Sequence, residues 1–199
     1  MIKGWLSEYK KKRLQKIVSF FSFLAVSFSN FGRFISAVIL GKITILAKED
    51  SLLGLWFDNQ KYYAGVFAEN LCNAKNEDSP IILQTKKWLD EYFKGNVPDF
   101  IPKLELIGTP FRKEVWNILQ TIPYGKTVTY KYVAEQVANK QGKEKMSAQA
   151  VGGAVGHNPV SIIVPCHRVV ASNGELTGYA GGLERKQKLL EIEKGLTIL

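Results

Sequence analysis

The chain has 199 residues, of which 46% are apolar, 23% charged and 12% aromatic. These proportions are globular and exclude disordered, collagen-like and coiled-coil classes. Two cysteines, Cys72 and Cys166, cannot make a disulfide framework, and two histidines, His157 and His167, leave too few soft ligands for a structural zinc site. No metal is therefore expected. The net charge of +9 is unevenly placed: about +6 over residues 1–37, −2 over 38–108 and +5 over 109–199. A basic C-terminal part beside an acidic middle suits a module facing a polyanion, although solvated lysines give the same count.

Residues 1–37 differ from the rest. Lys10-Lys11-Lys12-Arg13 precedes an apolar run from Ile17 to Phe28. That order resembles a secretory signal or a short anchor. The run is too short to span a bilayer, which takes about 20 residues. An amphipathic helix on the domain, or an extension with no folded role, is the preferred reading. Regular patterning begins near Val38. Two β-branched and aromatic runs, Gly41 to Ala47 and Leu52 to Phe57, are split by Lys48-Glu49-Asp50-Ser51, which predicts a hairpin. Ser79-Pro80 predicts a helix start and Gly95 its end, followed by a connector from Asn96 to Gly108. Residues 38–108 thus read as a small α/β unit without evident chemistry, and Cys72 within it as a structural or incidental thiol.

Residues 109–199 read as a mainly helical unit. Thr109-Pro110 caps a helix with apolar positions Phe111, Val115, Ile118, Leu119 and Ile122. Thr129 caps a second short helix, Tyr130 to Val137, and Ser147 a third from Ala148 to about Gly156. Between them runs a loop from Asn139 to Lys145 with Lys140, Lys143 and Lys145. Two short helices joined by a basic loop fit a helix-turn-helix, as do many core helix pairs. Further on, Val164-Pro165-Cys166-His167-Arg168 places a thiol beside a base, the pairing of an activated nucleophile. On an extended chain adjacent side chains diverge, so Cys166 and His167 would need a tight turn or a bridging water. A buried cysteine beside a satisfied histidine fits the pair equally well.

The longer string is more specific. Ile122-Pro123-Tyr124-Gly125-Lys126-Thr127-Val128-Thr129-Tyr130, Ala150-Val151-Gly152-Gly153-Ala154, Asn158-Pro159, Pro165-Cys166-His167-Arg168-Val169 and Gly178-Tyr179-Ala180-Gly181-Gly182-Leu183 occur in this order. Together they resemble the methylated-DNA–protein-cysteine methyltransferases, strongly over 109–195 and more loosely over 38–108. The resemblance implies an α/β N-terminal domain packed on a helix-turn-helix DNA-binding domain that carries the reactive cysteine. Cys166 then resembles the acceptor of an alkyl group from O6 of guanine, His167 its base through a water, and Glu193 the acid orienting that base. Asn158 resembles the residue tying the helix-turn-helix to the active-site loop, and Tyr130 the tyrosine that crowds a phosphate and donates toward the leaving purine. Tyr179, Val164, Pro165, Gly181 and Gly182 match the base pocket; Ala148, Gln149, Gly152 and Arg168 match the DNA-binding face. The implied partner is alkylated double-stranded DNA, with no cofactor and no stable protein partner, acting as a monomer in the cytoplasm. One departure stands out: Gln149 occupies the place of an arginine that fills the hole left by the flipped base. Two other classes stay open, a lesion-binding protein that does not repair and a Cys–His hydrolase. Cys166 argues against the first, the helix-turn-helix setting against the second.

Overall fold

The computed structural model describes residues 14–18, 40–72, 74–76 and 78–195. The N-terminal part contains strands β1 (Leu14–Val18), β2 (Ile43–Lys48) and β3 (Ser51–Phe57), a short helix α1 (Ala68–Cys72), strand β4 (Lys75–Asn76) and helix α2 (Pro80–Phe93). The sheet order is β3-β2-β1-β4, with β1, β2 and β3 antiparallel and β4 parallel to β1. The expected hairpin is therefore present, with Glu49 and Asp50 turning the chain and Glu49 at φ 52°. One expectation is corrected. Leu14–Val18, assigned to an extension or a surface helix, is instead a strand whose Ile17 pairs with Ile45. Its backbone pairs with β2 from Leu14–Lys48 to Val18–Thr44 and so covers the edge that β2 would otherwise leave bare. The rest of the 1–37 segment, and the thiol of Cys72, lie outside the described residues.

Every residue of β2 and β3 is buried, because both sheet faces are covered. Leu46, Leu53 and Trp56 meet Phe67 and Leu71 on one face. On the other, Ile45, Leu55 and Phe57 join one continuous core with Leu89 of α2 and residues of the C-terminal helices. That part follows with α3 (Pro110–Leu119), β5 (Val128–Thr129), α4 (Tyr130–Lys140), α5 (Ala148–Gly156), β6 (Val169–Val170) and α6 (Leu183–Glu193). Thr109, Thr129 and Ser147 cap α3, α4 and α5 by accepting from Arg112 N, Tyr132 N and Ala150 N. Ser79 sits at the start of α2 but its hydroxyl makes no cap, and Pro80 alone sets that start. The architecture is thus mixed α/β with a helical C-terminal unit.

Helix α4 is longer than its sequence reading. It runs on through Ala138 and Asn139 to Lys140, since no breaker occurs before Gly142 at φ 62°. The connection to α5 is residues 141–147, with Lys143 and Lys145 in it and Lys140 in the last helical turn. Trp116 of α3 donates its indole N–H to Ala154 O of α5 at 2.9 Å, holding the second helix of the pair. Among the described residues no helix is long and apolar enough to cross a membrane.

Candidate active site

The turn that carries Cys166 hangs from the sheet. Leu55 of β3 donates its N–H to Pro159 O and accepts from Ser161 N, at 2.9 and 2.8 Å. The outer edge of β3 thereby fixes the segment after α5. The next residue, Ile162, is fully buried at φ 69°. A β-branched residue in the left-handed region is a true outlier costing about 1–3 kcal/mol, and it is tolerated because its surroundings overdetermine it. Val164 and Pro165 follow, both buried, and Cys166–Arg168 closes a single 3-10 turn that ends in β6. That turn replaces the extended geometry in which Cys166 and His167 would simply diverge.

Asn158 holds the turn from within. It is 4% exposed, and its Nδ2 donates to Val164 O at 2.8 Å, Val160 O at 3.2 Å and Cys166 Sγ at 3.0 Å, while Oδ1 accepts from Val160 N. Beyond the sulfur stands a buried ionic cluster. Glu193, at the end of α6, accepts from His167 Nε2 at 2.6 Å, from Arg168 Nε at 2.9 Å and Nη2 at 3.0 Å, from Gly125 N at 3.0 Å and from Tyr92 Oη at 2.8 Å. With Nε2–H committed to the carboxylate, His167 Nδ1 is the unprotonated nitrogen. No protein group among the described residues hydrogen-bonds it.

Burial and charge set the resting protonation. Burial pushes the Cys166 thiol up to about 11, against a smaller opposing pull from Asn158 and Lys186. Burial also holds His167 below its ordinary value despite Glu193, so the imidazole is neutral at pH 7. Glu193 is drawn down to about 2: burial opposes this, but the hydrogen bonds and charges of His167 and Arg168 outweigh it. The site therefore holds a thiol, a neutral base and an ionised carboxylate.

Of the remaining expected residues, Tyr130 and Tyr179 lie near enough to Cys166 to interact with its charge. Tyr130, at the start of α4, donates to Gly178 O at 2.9 Å and is pushed up to about 12 by burial and by the Cys166 charge. Gly178, at φ 57°, adopts a conformation that favours glycine, and a Cβ there would lie 3.0 Å from the Tyr130 hydroxyl. Tyr179 covers Gly181, where a Cβ would meet its ring at 2.7 Å, and Gly182 turns the chain into α6 at φ 91°. Ala148 and Gln149 are exposed on the first turn of α5, and Gly152 faces the Tyr130 ring. Arg168 corrects the expectation of a DNA contact: it is 8% exposed, with Nη1 donating to Ile122 O at 2.6 Å and its other nitrogens on Glu193. With each of its three nitrogens on a buried acceptor, the guanidinium is aimed into the protein rather than at a phosphate. Among the described residues no cluster of three or more His, Cys, Asp or Glu is disposed to hold a metal.

Two family models match the chain: the ribonuclease-like domain of 6-O-methylguanine DNA methyltransferase over residues 34–106, and its DNA-binding domain over 110–195. The chain belongs to this family. A methylated-DNA–protein-cysteine methyltransferase of Mycolicibacterium paratuberculosis is 39% identical over 155 residues, 78% of this chain and 87% of the relative. The crystal structure of the Mycobacterium tuberculosis O6-methylguanine methyltransferase superposes with a TM-score of 0.70 at 33% identity, covering 93% of this chain and 95% of that one. A structure of the M. tuberculosis OGT in complex with DNA gives 0.66 at 37% identity, covering 80% and 90%.

Two residues of this candidate site in the methyltransferase-family chain are not indicated by the sequence. Tyr92 lies on α2, in the unit that showed no chemistry, yet its hydroxyl reaches Glu193. A tyrosine four residues after Trp88 on a buried helix face signals a phenol that needs a partner, without saying which. Lys186 is fully buried, donating to Val169 O and Thr177 O at 2.6 Å each, and burial draws it down to about 8. It ties β6, just past the turn that carries Cys166, to the loop before Tyr179.

Proposed function

We propose that this chain repairs DNA by transferring an alkyl group from O6 of guanine to Cys166 Sγ, once per molecule. The observation that supports this most directly is the buried run Asn158–Cys166 and His167–Glu193, held on one strained turn beside a helix pair. The thiol gives its proton, through a water, to His167 Nδ1, and Glu193 stabilises the imidazolium that forms. The sulfur attacks the alkyl carbon in line, the S–C bond forms as the C–O6 bond breaks, and the electron pair leaves on the purine. Tyr130 exchanges its bond to Gly178 for one to the departing base, where charge develops. The target atom is inaccessible in a stacked duplex, so the nucleotide is flipped toward Tyr179 and the Gly181–Gly182 turn. The product is a thioether, and nothing among these residues reverses it.

The DNA face in this reading is α5, with Ala148, Gln149 and Gly152, flanked by Lys140, Lys143 and Lys145. Gln149 occupies the gap left by the flipped base and bonds the orphaned partner without charge, which weakens binding and slows capture. Residues 38–108 hold the turn in place, and 109–199 contact DNA. The chain acts as a monomer, without a dissociable cofactor, in the compartment of the DNA, the cytoplasm. O4-alkylthymine presents the same kind of alkylated oxygen and is the second substrate to test. The deciding experiment mixes the protein with a duplex carrying one O6-methylguanine and measures its intact mass. A gain of one methyl, mapped to Cys166 and saturating at one per protein, is expected. Tight binding without mass gain would make it a lesion-recognition protein instead.

A further inference from the structure

Glu193 receives more donors than orienting one histidine requires. Oε1 accepts from His167 Nε2 at 2.6 Å, Tyr92 Oη at 2.8 Å and Arg168 Nη2 at 3.0 Å, and Oε2 from Arg168 Nε and Gly125 N. All but one of these donors lie in the C-terminal part. The exception is Tyr92, 101 residues away in sequence, on a helix of the N-terminal part. Its side chain is fully buried, stacked on Trp88 at 5.3 Å, edge-on to Tyr124 at 5.9 Å and to His167 at 6.4 Å. Its Oη also stands 3.4 Å from His167 Nε2, so hydroxyl, imidazole nitrogen and carboxylate oxygen close a triangle.

From this juxtaposition we infer that Tyr92 is a positioning residue for the alkyl transfer, competing with His167 for Glu193 Oε1 and so keeping the imidazole uncharged with Nδ1 free to take the thiol proton. Its link to rate rests on the alkyltransferase reading. A carboxylate oxygen shares its charge among its donors, and each strong donor weakens the pull on the others. Removing the Tyr92 hydroxyl returns that charge to His167 Nε2–H and favours the imidazolium. The groups facing His167 fix the sign. Glu193 and Lys186 face it from α6, Tyr92 from α2, and Arg168 from its own turn beside Cys166, while Tyr124, in the turn after α3, packs edge-on to Tyr92 and under Arg168. The Arg168 and Lys186 cations oppose protonation equally with and without the hydroxyl. Cys166 and Tyr124 are neutral near pH 7, because burial raises both.

The test is Tyr92→Phe, which keeps the ring stack, read by NMR titration of labelled histidine. The chain has two histidines, so His157 serves as the internal control. The His167 midpoint is expected to move up, about threefold or more in proton affinity, the scale of one redistributed charge-assisted hydrogen bond. His157 stays where it was. The acid limb of the single-turnover methyl-capture profile moves up by the same factor, while capture at alkaline pH is kept. Replacing Tyr92 with 3-fluorotyrosine, a stronger donor that keeps both ring and hydroxyl, moves the midpoint the opposite way and serves if the phenylalanine variant does not fold. An unmoved His167 midpoint, or one moving in the same direction in both, overturns the inference. If the midpoint moves but neither protein takes a methyl group, the control of His167 protonation by Tyr92 stands, and its role in transfer fails together with the alkyltransferase reading.

Discussion

Glu193 is where fold and chemistry meet, and Glu193→Gln separates them. In the folded chain the carboxyl is held at about 2, against an ordinary 4.5. A gap of that size corresponds to about 3 kcal/mol of stability at neutral pH. A second route gives a similar figure: removing one member of a buried ion pair costs about 3–5 kcal/mol, because Arg168 is left uncompensated. Glutamine cannot substitute. Its NH2 must face either His167, Tyr92 and Arg168 or Arg168 and Gly125, all of them donors.

Urea unfolding at a series of pH values checks this. At pH 7 the variant is expected to lose about 3–5 kcal/mol, a fall in Tm on the order of 10 °C. The group's folded pKa is depressed, so its stabilisation is present above about 4.5 and is lost as pH falls toward 2. The difference between wild type and variant therefore stays level from pH 5 to 8 and closes below 4.5. A loss under about 1 kcal/mol at pH 7, or a difference that grows in acid, would refute the reasoning. Methyl capture falls as well, since an NH2 facing Nε2 moves the imidazole proton to Nδ1 and removes the base.

Three further outcomes follow from the same geometry. With its thiol at about 11, Cys166 should react with iodoacetamide at pH 8 roughly a hundredfold more slowly than an ordinary cysteine, mapped by peptide mass, and lose that protection in urea. Asn158→Ala removes the acceptor of Val160 N and the side-chain donor to Cys166 Sγ, while the Val160 and Val164 carbonyls keep their backbone donors; denaturant unfolding should show a loss of about 1–3 kcal/mol, with methyl capture slowed further than that loss explains. Gln149→Arg should raise the capture rate on duplex DNA and steepen the salt dependence of binding by about 0.9 in log–log slope, whereas neutralising Lys140, Lys143 and Lys145 together should flatten it by up to about three times as much. Fluorescence titration across a salt series reads both, and an unchanged slope in either variant removes those side chains from the DNA face.

What was legible in the sequence is what short spans determine. The capping hydroxyls of Thr109, Thr129 and Ser147 act on amides three residues away, so their helices could be placed from local pattern alone. The reactive cysteine and its histidine were likewise neighbours on the chain. Contacts between residues far apart in sequence were not legible. Arg168 beside a reactive motif in a basic region looks like a phosphate ligand, and only Glu193, 25 residues on, turns it inward. Tyr92 and Leu14–Val18 were missed for the same reason: a buried phenol and a strand edge reveal their partners only once the fold brings those partners near.

The charges inside the site also account for how the thiol is kept protonated at rest and yet can give its proton to His167. Lys186 and Arg168 are both buried next to the turn that carries Cys166, Lys186 on Val169 O and Arg168 on Glu193, the one anion among the described residues that bonds this cluster. Moving a proton from Cys166 to His167 leaves the total charge of this cluster unchanged. It also places a thiolate beside Lys186 and an imidazolium on Glu193, both favourable contacts. Transfer within the site is thus far easier than losing the thiol proton to solvent, which burial holds to about pH 11. A thiol kept protonated until a base fills the pocket escapes oxidation and stray electrophiles, whose target is the thiolate. Lys186→Met would test that balance: it keeps the stem's packing, removes the charge, and should slow methyl capture while leaving the already slow iodoacetamide reaction slower still.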